Sequence, residues 1–322
     1  MIPPKLFWPA AILGYAIPLI ICLNIILFFT HLLFSRRILW PYLAGILLAF
    51  PFIQSTYKMK SINKAQDGFS VMSYNAKLFR QKDRYDKFSV KSIDWLVQDT
   101  SDIKCIQEFS YNNEYRPLDV VSKVKKHKYN YHIFQIDVIH NPGMAILSTY
   151  PILNKGVLEN DSTTVNNIIY ADILIKKDTV RIYNVHLKSM RLELHEYSAA
   201  SKITKNYKKL LSKLRFGAIE RSEQIDKLLK HIDYYCPYPV IVCGDFNETP
   251  YSYNYFKMKS RFRNSFDEAG EGWGLSFINP PIQLRIDHHF IDQNFEISDF
   301  KVDRSIKNSD HFPTRALYRL NN

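Results

Sequence analysis

Val240-Ile-Val-Cys-Gly-Asp-Phe-Asn247 is an apolar run that stops abruptly on an acid and an amide. Read as a buried strand, it delivers Asp245 and Asn247 to its open end, a base beside a hydrogen-bond donor. Phosphate-ester hydrolysis needs both. Alone, Gly-Asp-Phe-Asn is equally well a turn, since Gly, Asp and Asn are ordinary turn formers. The assignment therefore depends on whether other strands end in the same way.

They do. Phe69-Ser-Val-Met-Ser-Tyr-Asn75 alternates like a half-buried strand and ends on an amide, and Ile103-Lys-Cys-Ile-Gln-Glu108 ends on an acid. Met144–Ser148 and Ile168–Lys176 read as central strands, and Val180–His186 ends on a histidine. Leu284-Arg-Ile-Asp287 and Ser309-Asp310-His311 close the series. Helical spacing covers Tyr85–Gln98 and a long region from Leu192 to Ile232. In the latter, Ile203, Tyr207, Leu210, Leu211 and Leu214 form an apolar stripe ringed by Lys202, Lys205, Lys208, Lys209 and Lys213. A solvated helix face accounts for those lysines; contact with a membrane surface or phosphate is the sharper alternative. Strands and helices mixed in this way predict an α/β fold of two packed sheets with helices outside and the polar strand tips gathered at one edge.

Those tips form a coherent chemistry. A carboxylate at the end of a buried strand is costly unless a cation meets it, and the oxygen chemistry of Glu108 favours a hard ion such as Mg2+, with Mn2+ as a substitute. Asn75 and Asp310 add further oxygens. Asp245 is placed to orient or deprotonate water, while Asn247 and His186 donate to the non-bridging oxygens where charge develops. Asp310 and His311 are adjacent and would not normally touch, so Asp287 is the expected partner of His311. Held charged, His311 acts as general acid or as a cation near phosphate. His288 and His289, also adjacent, should point to opposite faces of a strand.

The rest of the chain qualifies this reading. Trp8 to Phe34 carries no charged side chain, long enough to cross a bilayer with tilt, and a second apolar run extends from Leu39 to about Tyr57. The expectation is a membrane hairpin of two transmembrane helices over 1–57, turning at Arg36-Arg37. Pro18 and Asn24 would be covered by the partner helix. A polar linker (58–68) and one domain (69–322) follow. Only Lys5, Arg36 and Arg37 among the 43 basic residues, and none of the 31 acidic ones, precede residue 58, so the remainder carries +9. Such a surface suits nucleic acid, anionic headgroups or phosphorylated small molecules alike. The spacing of Cys22, Cys105, Cys236 and Cys243 suggests no metal knuckle or disulfide framework.

With these islands assembled, the chain resembles the endonuclease/exonuclease/phosphatase superfamily, whose fold is that of deoxyribonuclease I. The resemblance rests on Met72-Ser-Tyr-Asn75, Ile106-Gln-Glu108, Gly143–Ile152, Tyr183-Asn-Val-His-Leu187, Gly244-Asp-Phe-Asn247, Arg285-Ile-Asp287 and Ser309-Asp-His-Phe-Pro313. It spans Phe69 to Tyr318 and implies a four-layer α/β/β/α sandwich of two mixed sheets flanked by helices, preceded here by the hairpin. It further implies Glu108 as the main metal ligand with Asn75 and Asp310 close by, His186 and Asn247 on the phosphate, Asp245 on the nucleophile and His311 completing the site. Arg221-Ser-Glu-Gln224 and Ser252-Tyr-Asn-Tyr255 resemble membrane-tethered bacterial members, which often carry a further N-terminal helix. The start at Met1 thus reads as late, the Arg36-Arg37 turn as cytoplasmic and the catalytic domain as extracytoplasmic. His288 stands where relatives often have an aromatic. Glu248-Thr-Pro250 departs from the inositol polyphosphate phosphatase pattern. The implied activity is a metal-dependent phosphodiester hydrolase tethered to a lipid bilayer. Its substrate would be nucleic acid or a phospholipid headgroup, as in a sphingomyelinase. A non-catalytic phosphate-binding module is the competing class, and no protein partner is inferable.

Overall fold

The computed structural model describes residues 1–34, 39–59, 67–81, 84–110, 120–124, 126–134, 142–160, 166–189, 200–280 and 282–321. In chain order the helices are α1 (Pro4–Phe7), α2 (Pro9–Phe34), α3 (Trp40–Gln54), α4 (Val90–Gln98), α5 (Val120–Lys123), α6 (Ala200–Tyr235), α7 (Tyr253–Lys259) and α8 (Ser265–Ala269). The strands of the two large sheets are β1 (Phe69–Asn75), β2 (Ile103–Ser110), β3 (Tyr129–Phe134), β4 (Pro142–Ser148), β5 (Ile152–Asn160), β6 (Asn167–Ile175), β7 (Asp178–His186), β8 (Val240–Asp245), β9 (Arg263–Asn264), β10 (Asp287–Ile291), β11 (Phe295–Val302) and β12 (Thr314–Leu320).

One sheet runs β11-β12-β1-β2-β4-β3 and the other β9-β10-β8-β7-β6-β5. Each contains one parallel pair, β1 with β2 and β7 with β8, among antiparallel neighbours. A parallel pair brings both C-terminal ends to the same edge. That is why Asn75 and Glu108 share one rim, and His186 and Asp245 the other.

Side-chain alternation builds the layers. Val71, Ile103, Cys105, Ile146, Ile182, Ile241, Cys243 and Ile291 point inward between the sheets. The opposite faces carry Tyr183, Val185, Val240, Val242 and Phe290 against Ile225, Leu228 and Ile232 of α6. On the other sheet, Met72, Tyr74, Ile106 and Leu147 pack on Ile93 and Leu96 of α4. The result is the expected α/β/β/α sandwich, each layer buried because a period of two sends half of every strand to each face.

Two expected boundaries move. The helix expected from Tyr85 begins at Val90, after a short strand (Arg84–Phe88), because the Ser89 side chain accepts from Ser92 N and caps it there. The helix expected from Leu192 is described from Ala200 and runs on to Tyr235; 190–199 lie outside the described residues.

At the N-terminus, Asn24 lies against Gly45 and His31 against Tyr42, so α2 and α3 pack antiparallel. The side-chain amide of Asn24 is thus covered by α3. Among the described residues α2 alone is long and apolar enough to span a bilayer. At 15 residues α3 reaches about 22 Å, short of a hydrocarbon core of about 30 Å. Of the two expected transmembrane helices, α2 alone meets that length among the described residues. The Arg36-Arg37 turn falls outside the described residues, as does most of the 58–68 linker.

The ends of the hairpin sit on the folded domain. Ala11, Ile12 and Tyr15 meet Leu214, Ala218, Arg221 and Glu248. Phe52 packs against Tyr251 and Phe256, and Thr56 Oγ1 lies 3.0 Å from the Tyr251 hydroxyl. Arg285 donates to the Ser55 carbonyl, and Lys58 pairs through its backbone with Gly272.

Candidate active site

Strand register places three of the expected residues in one row. In the parallel pair Asp245 is opposite His186, and in the antiparallel pair it is opposite Asp287. All three share the inward parity of Ile241 and Cys243, so they face the cleft between the sheets at its rim. Gly244 makes this approach possible. It adopts φ +149°, and a Cβ there would stand 1.9 Å from the Val185 carbonyl oxygen.

Glu108 arrives differently. By alternation it belongs with Ile106 on the outer face, but a bulge between Ile106 and Phe109, with Glu108 at φ +45°, turns it into the cleft. Its Oε1 accepts from Asn75 Nδ2 at 3.2 Å and lies 3.8 Å from His186 Nε2. The same Asn75 amide donates to Asp245 Oδ2 at 3.0 Å, joining the two sheets across the site. Asn247 also has a left-handed backbone, φ +50°. Its N–H donates to Asp245 Oδ1 at 2.9 Å and its side-chain amide to the Leu187 carbonyl at 3.1 Å. Lys77, Leu78 and Phe79, just beyond Asn75, have positive φ as well. Backbone strain is thus concentrated around this cleft, where packing holds it in place.

His311 lies across from the row. Its Nδ1 is 3.0 Å from Asp287 Oδ2, and its Nε2 is 3.6 Å from Asp245 Oδ2. Burial alone would push the imidazole toward neutrality, but Asp287 and Asp245 outweigh it and raise its pKa to about 10. His311 is therefore an imidazolium at neutral pH. Burial raises the pKa of Asp245 above the ordinary carboxylate value, with Asp287 adding to the rise and His311 and His186 opposing it. A base with a raised pKa is better matched to accepting a proton near neutrality.

Asp310 points to the same cleft, where Lys77 Nζ donates to its Oδ2 at 2.7 Å. Burial works against its ionisation, yet His311 and Lys77 hold its pKa below the usual range. The cleft thus gathers four carboxylates (Glu108, Asp245, Asp287 and Asp310) against Lys77 and the His311 imidazolium.

This donor set fits a hard divalent cation. Glu108 is partly exposed at the mouth, and among the described residues it has no Lys or Arg partner. Asp245, Asp287 and His311 also bring ligand atoms within 4.8 Å of one another. There, however, the imidazolium already supplies the positive charge. A metal on Glu108 would recruit Asn75 only by rotating its amide, and Asp310 only by displacing Lys77.

The structure adds residues that motif reading did not single out. Gln107 Nε2 donates to Asn184 Oδ1 at 2.7 Å, and Asn184 Nδ2 donates to the carbonyls of Ile106 and Ala145. This buried bridge ties the sheets together directly behind Glu108 and His186. Ser309 Oγ donates to the Asn75 carbonyl, and Lys77 pairs with Asp310. Gln107 and Asn184 carry a readable signal, a polar side chain at inward parity in a buried strand, whereas Lys77 and Ser309 lie in loops and carry none. His288 and His289 do point to opposite faces. His288 packs among Phe246, Tyr255 and Phe290, its Nε2 donating to the Glu248 carbonyl at 2.8 Å, while His289 lies between Tyr318 and Thr314. Burial lowers the pKa of each to about 3, so both are neutral. A cleft of about 290 Å3 between Lys128–Asn130 and Ile152–Lys155 is at the strand ends remote from this site.

Comparison with known proteins agrees with this fold. A family model described as "Endonuclease/Exonuclease/phosphatase family" matches residues 72–311, and one described only as a domain of unknown function matches residues 1–56. No curated protein matches the chain. Among solved structures, an endonuclease/exonuclease/phosphatase family protein from Bacteroides thetaiotaomicron is similar at 16% identity and TM-score 0.56, over 80% of this chain and 100% of that one. The human Nocturnin catalytic domain with bound sulfate is similar at 16% identity and TM-score 0.54, over 79% and 95%. D. rerio TDP2 complexed with a single-strand DNA product gives 14% identity and TM-score 0.53, over 79% and 100%. At these identities the likeness is one of fold.

Proposed function

Because the chain belongs to the endonuclease/exonuclease/phosphatase family, we propose that it is a membrane-anchored, Mg2+-dependent phosphodiester hydrolase. The observation that carries this reading is the row of His186, Asp245 and Asp287, with the His311 imidazolium 3.6 Å from Asp245 and Glu108 on the facing rim. Asp245 takes the proton of the attacking water. His311, kept charged by Asp287, donates to a non-bridging phosphoryl oxygen and supplies fixed positive charge as negative charge develops. His186 and Asn247 donate to the remaining oxygens. Glu108, with Asn75 and Asp310, would hold Mg2+. Held by these residues, the ion would supply the positive charge that offsets the negative charge developing on the phosphoryl group and leaving oxygen.

Residues 1–57 act as the anchor and 69–322 as the catalytic domain, with α2 crossing the bilayer and α3 packed along it. In this arrangement the domain lies on the extracytoplasmic side. The anchor favours a lipid-borne substrate over free nucleic acid, because Tyr15 meets Glu248, the residue next to Asn247. A nuclease remains the second reading, in view of the DNA product held by the TDP2 structure.

The test uses the purified full chain in detergent, assayed with Mg2+ or EDTA on bis-p-nitrophenyl phosphate, plasmid DNA and sphingomyelin vesicles. Turnover with Mg2+, abolished by EDTA and by Asp245→Ala, is the expected result. The substrate cleaved fastest names the subclass. Turnover that survives Asp245→Ala would refute the assignment of the base, and a folded chain inert on every substrate would favour a phosphate-binding module.

A further inference from the structure

α6 is longer than the sheet it covers. Its 36 residues extend about 54 Å, whereas the six residues of β8 extend about 20 Å. Ile225, Leu228 and Ile232 pack on the sheet, and Arg221 is fixed at its rim by Glu248 at 2.7 Å and by the Lys188 carbonyl at 2.9 Å. The part before Arg221 therefore projects past the sheet on the side of the active site, since Lys188 and Glu248 each follow a site residue closely.

One stripe runs along this projection. Ala218 and Leu214 form the seat for Ala11, Ile12 and Tyr15 of α2. Stepping back by three and then four residues, the same face continues through Leu211, 38% exposed, to Tyr207, 48% exposed. Phe216, 56% exposed, lies on the opposite face, where Lys188 Nζ stands 6.0 Å from its ring centre. Lys208 and Arg215 border the stripe on one side and Lys213 on the other, and the Arg215 guanidinium lies over the Trp8 ring at the start of α2. An apolar face that begins as the seat of a membrane helix and continues uncovered among the described residues, bordered by cations, has the composition of an interfacial helix.

We propose that the Tyr207–Leu214 segment of α6 lies in the headgroup layer of an anionic bilayer, the same bilayer that α2 enters. Tyr207 and Leu211 reach the acyl boundary, and Lys208 at the edge of the stripe meets lipid phosphates. A second copy of the chain fits this face poorly, because a two-fold contact would oppose one lysine border to another. The inference rests on the anchor being membrane-inserted, and its consequence is that the active-site rim is held at the lipid surface.

The full chain, with Cys22→Ser and Cys236→Ser so that only the buried Cys105 and Cys243 remain, would carry one spin label at a time. The label would be introduced by Leu211→Cys or Tyr207→Cys, with Leu19→Cys in α2 and Lys230→Cys on exposed α6 as references. Reconstitution would use nanodiscs of phosphatidylcholine alone or with phosphatidylglycerol added. Oxygen collisions at 211 and 207 should exceed those of an aqueous nickel chelate several-fold relative to 230, with the ratio rising when phosphatidylglycerol is present. Lys208→Glu should reduce that rise. Nickel accessibility at 211 and 207 equal to that at 230, while 19 reports lipid, would overturn the inference alone. Loss of the lipid signal at 19 would overturn the anchor reading itself. Spin–spin broadening at 211 would assign the face to self-association and likewise overturn it.

Discussion

Asp287→Asn tests the electrostatic core of the site. Its carboxylate lies 3.0 Å from His311 Nδ1 and is the largest of the influences that raise the imidazole pKa to about 10 against the opposing effect of burial. From an ordinary value of about 6.5, the rise amounts to about 3.5 units, or on the order of 5 kcal/mol of preference for the charged form. The folded pKa is raised, so this stabilisation is complete below about pH 6.5 and is lost as pH climbs toward 10. The wild-type chain should lose stability over that window. In Asp287→Asn the loss should fall by roughly half, about 2–3 kcal/mol, since Asp245 still faces the ring. The His311 titration should move toward neutrality. Urea unfolding followed by tryptophan fluorescence at intervals from pH 6 to 10 measures the first effect, and nitrogen-15 NMR of labelled histidine the second. An unchanged pH slope in the variant, with His311 still titrating near 10, would refute the pairing as the cause.

Further outcomes follow from other contacts. Gly244→Ala forces a Cβ into the Val185 carbonyl and an L-residue into φ +149°, so it should cost about 3 kcal/mol or more, seen as a lower urea midpoint. Arg221→Ala strands the buried Glu248 carboxylate and should cost about 3–5 kcal/mol. Hydrogen exchange should increase first in 247–252. Asn184→Leu removes the side-chain donor to the Ile106 and Ala145 carbonyls and leaves Gln107 with only Ser73 and Cys105 as acceptors. A loss of about 2–3 kcal/mol is expected by the same unfolding assay. Glu108→Gln should raise the Mg2+ concentration for half-maximal turnover at least about tenfold while leaving the urea midpoint nearly unchanged.

Much of the sandwich was legible because burial imposes a period of two on strands. β1 ends where its alternation ends, and β8 breaks from Val-Ile-Val-Cys to Gly-Asp where the chain reaches the rim. The site residues were legible for a related reason: an acid or amide ending an apolar strand is costly without a purpose. Local chemistry beyond the period was harder to read. Ser89 started α4 five residues later than the spacing of Phe88, Ile93, Leu96 and Val97 suggested, because a capping hydroxyl decides a helix start more sharply than periodicity does.

The sequence by itself determined the layers, the apolar α2 and the identity of the groups at the strand tips, all properties of residues near one another in the chain. Tertiary structure alone decided which groups meet. The bulge that turns Glu108 inward, the register that seats Asp245 between His186 and Asp287, the claim of Lys77 on Asp310 and the seating of Tyr15 beside Arg221 and Glu248 all join residues far apart in sequence. No local pattern encodes such pairings. They arise when two sheets pack and their edges close on one cleft, where the charge of each group is set by its neighbours.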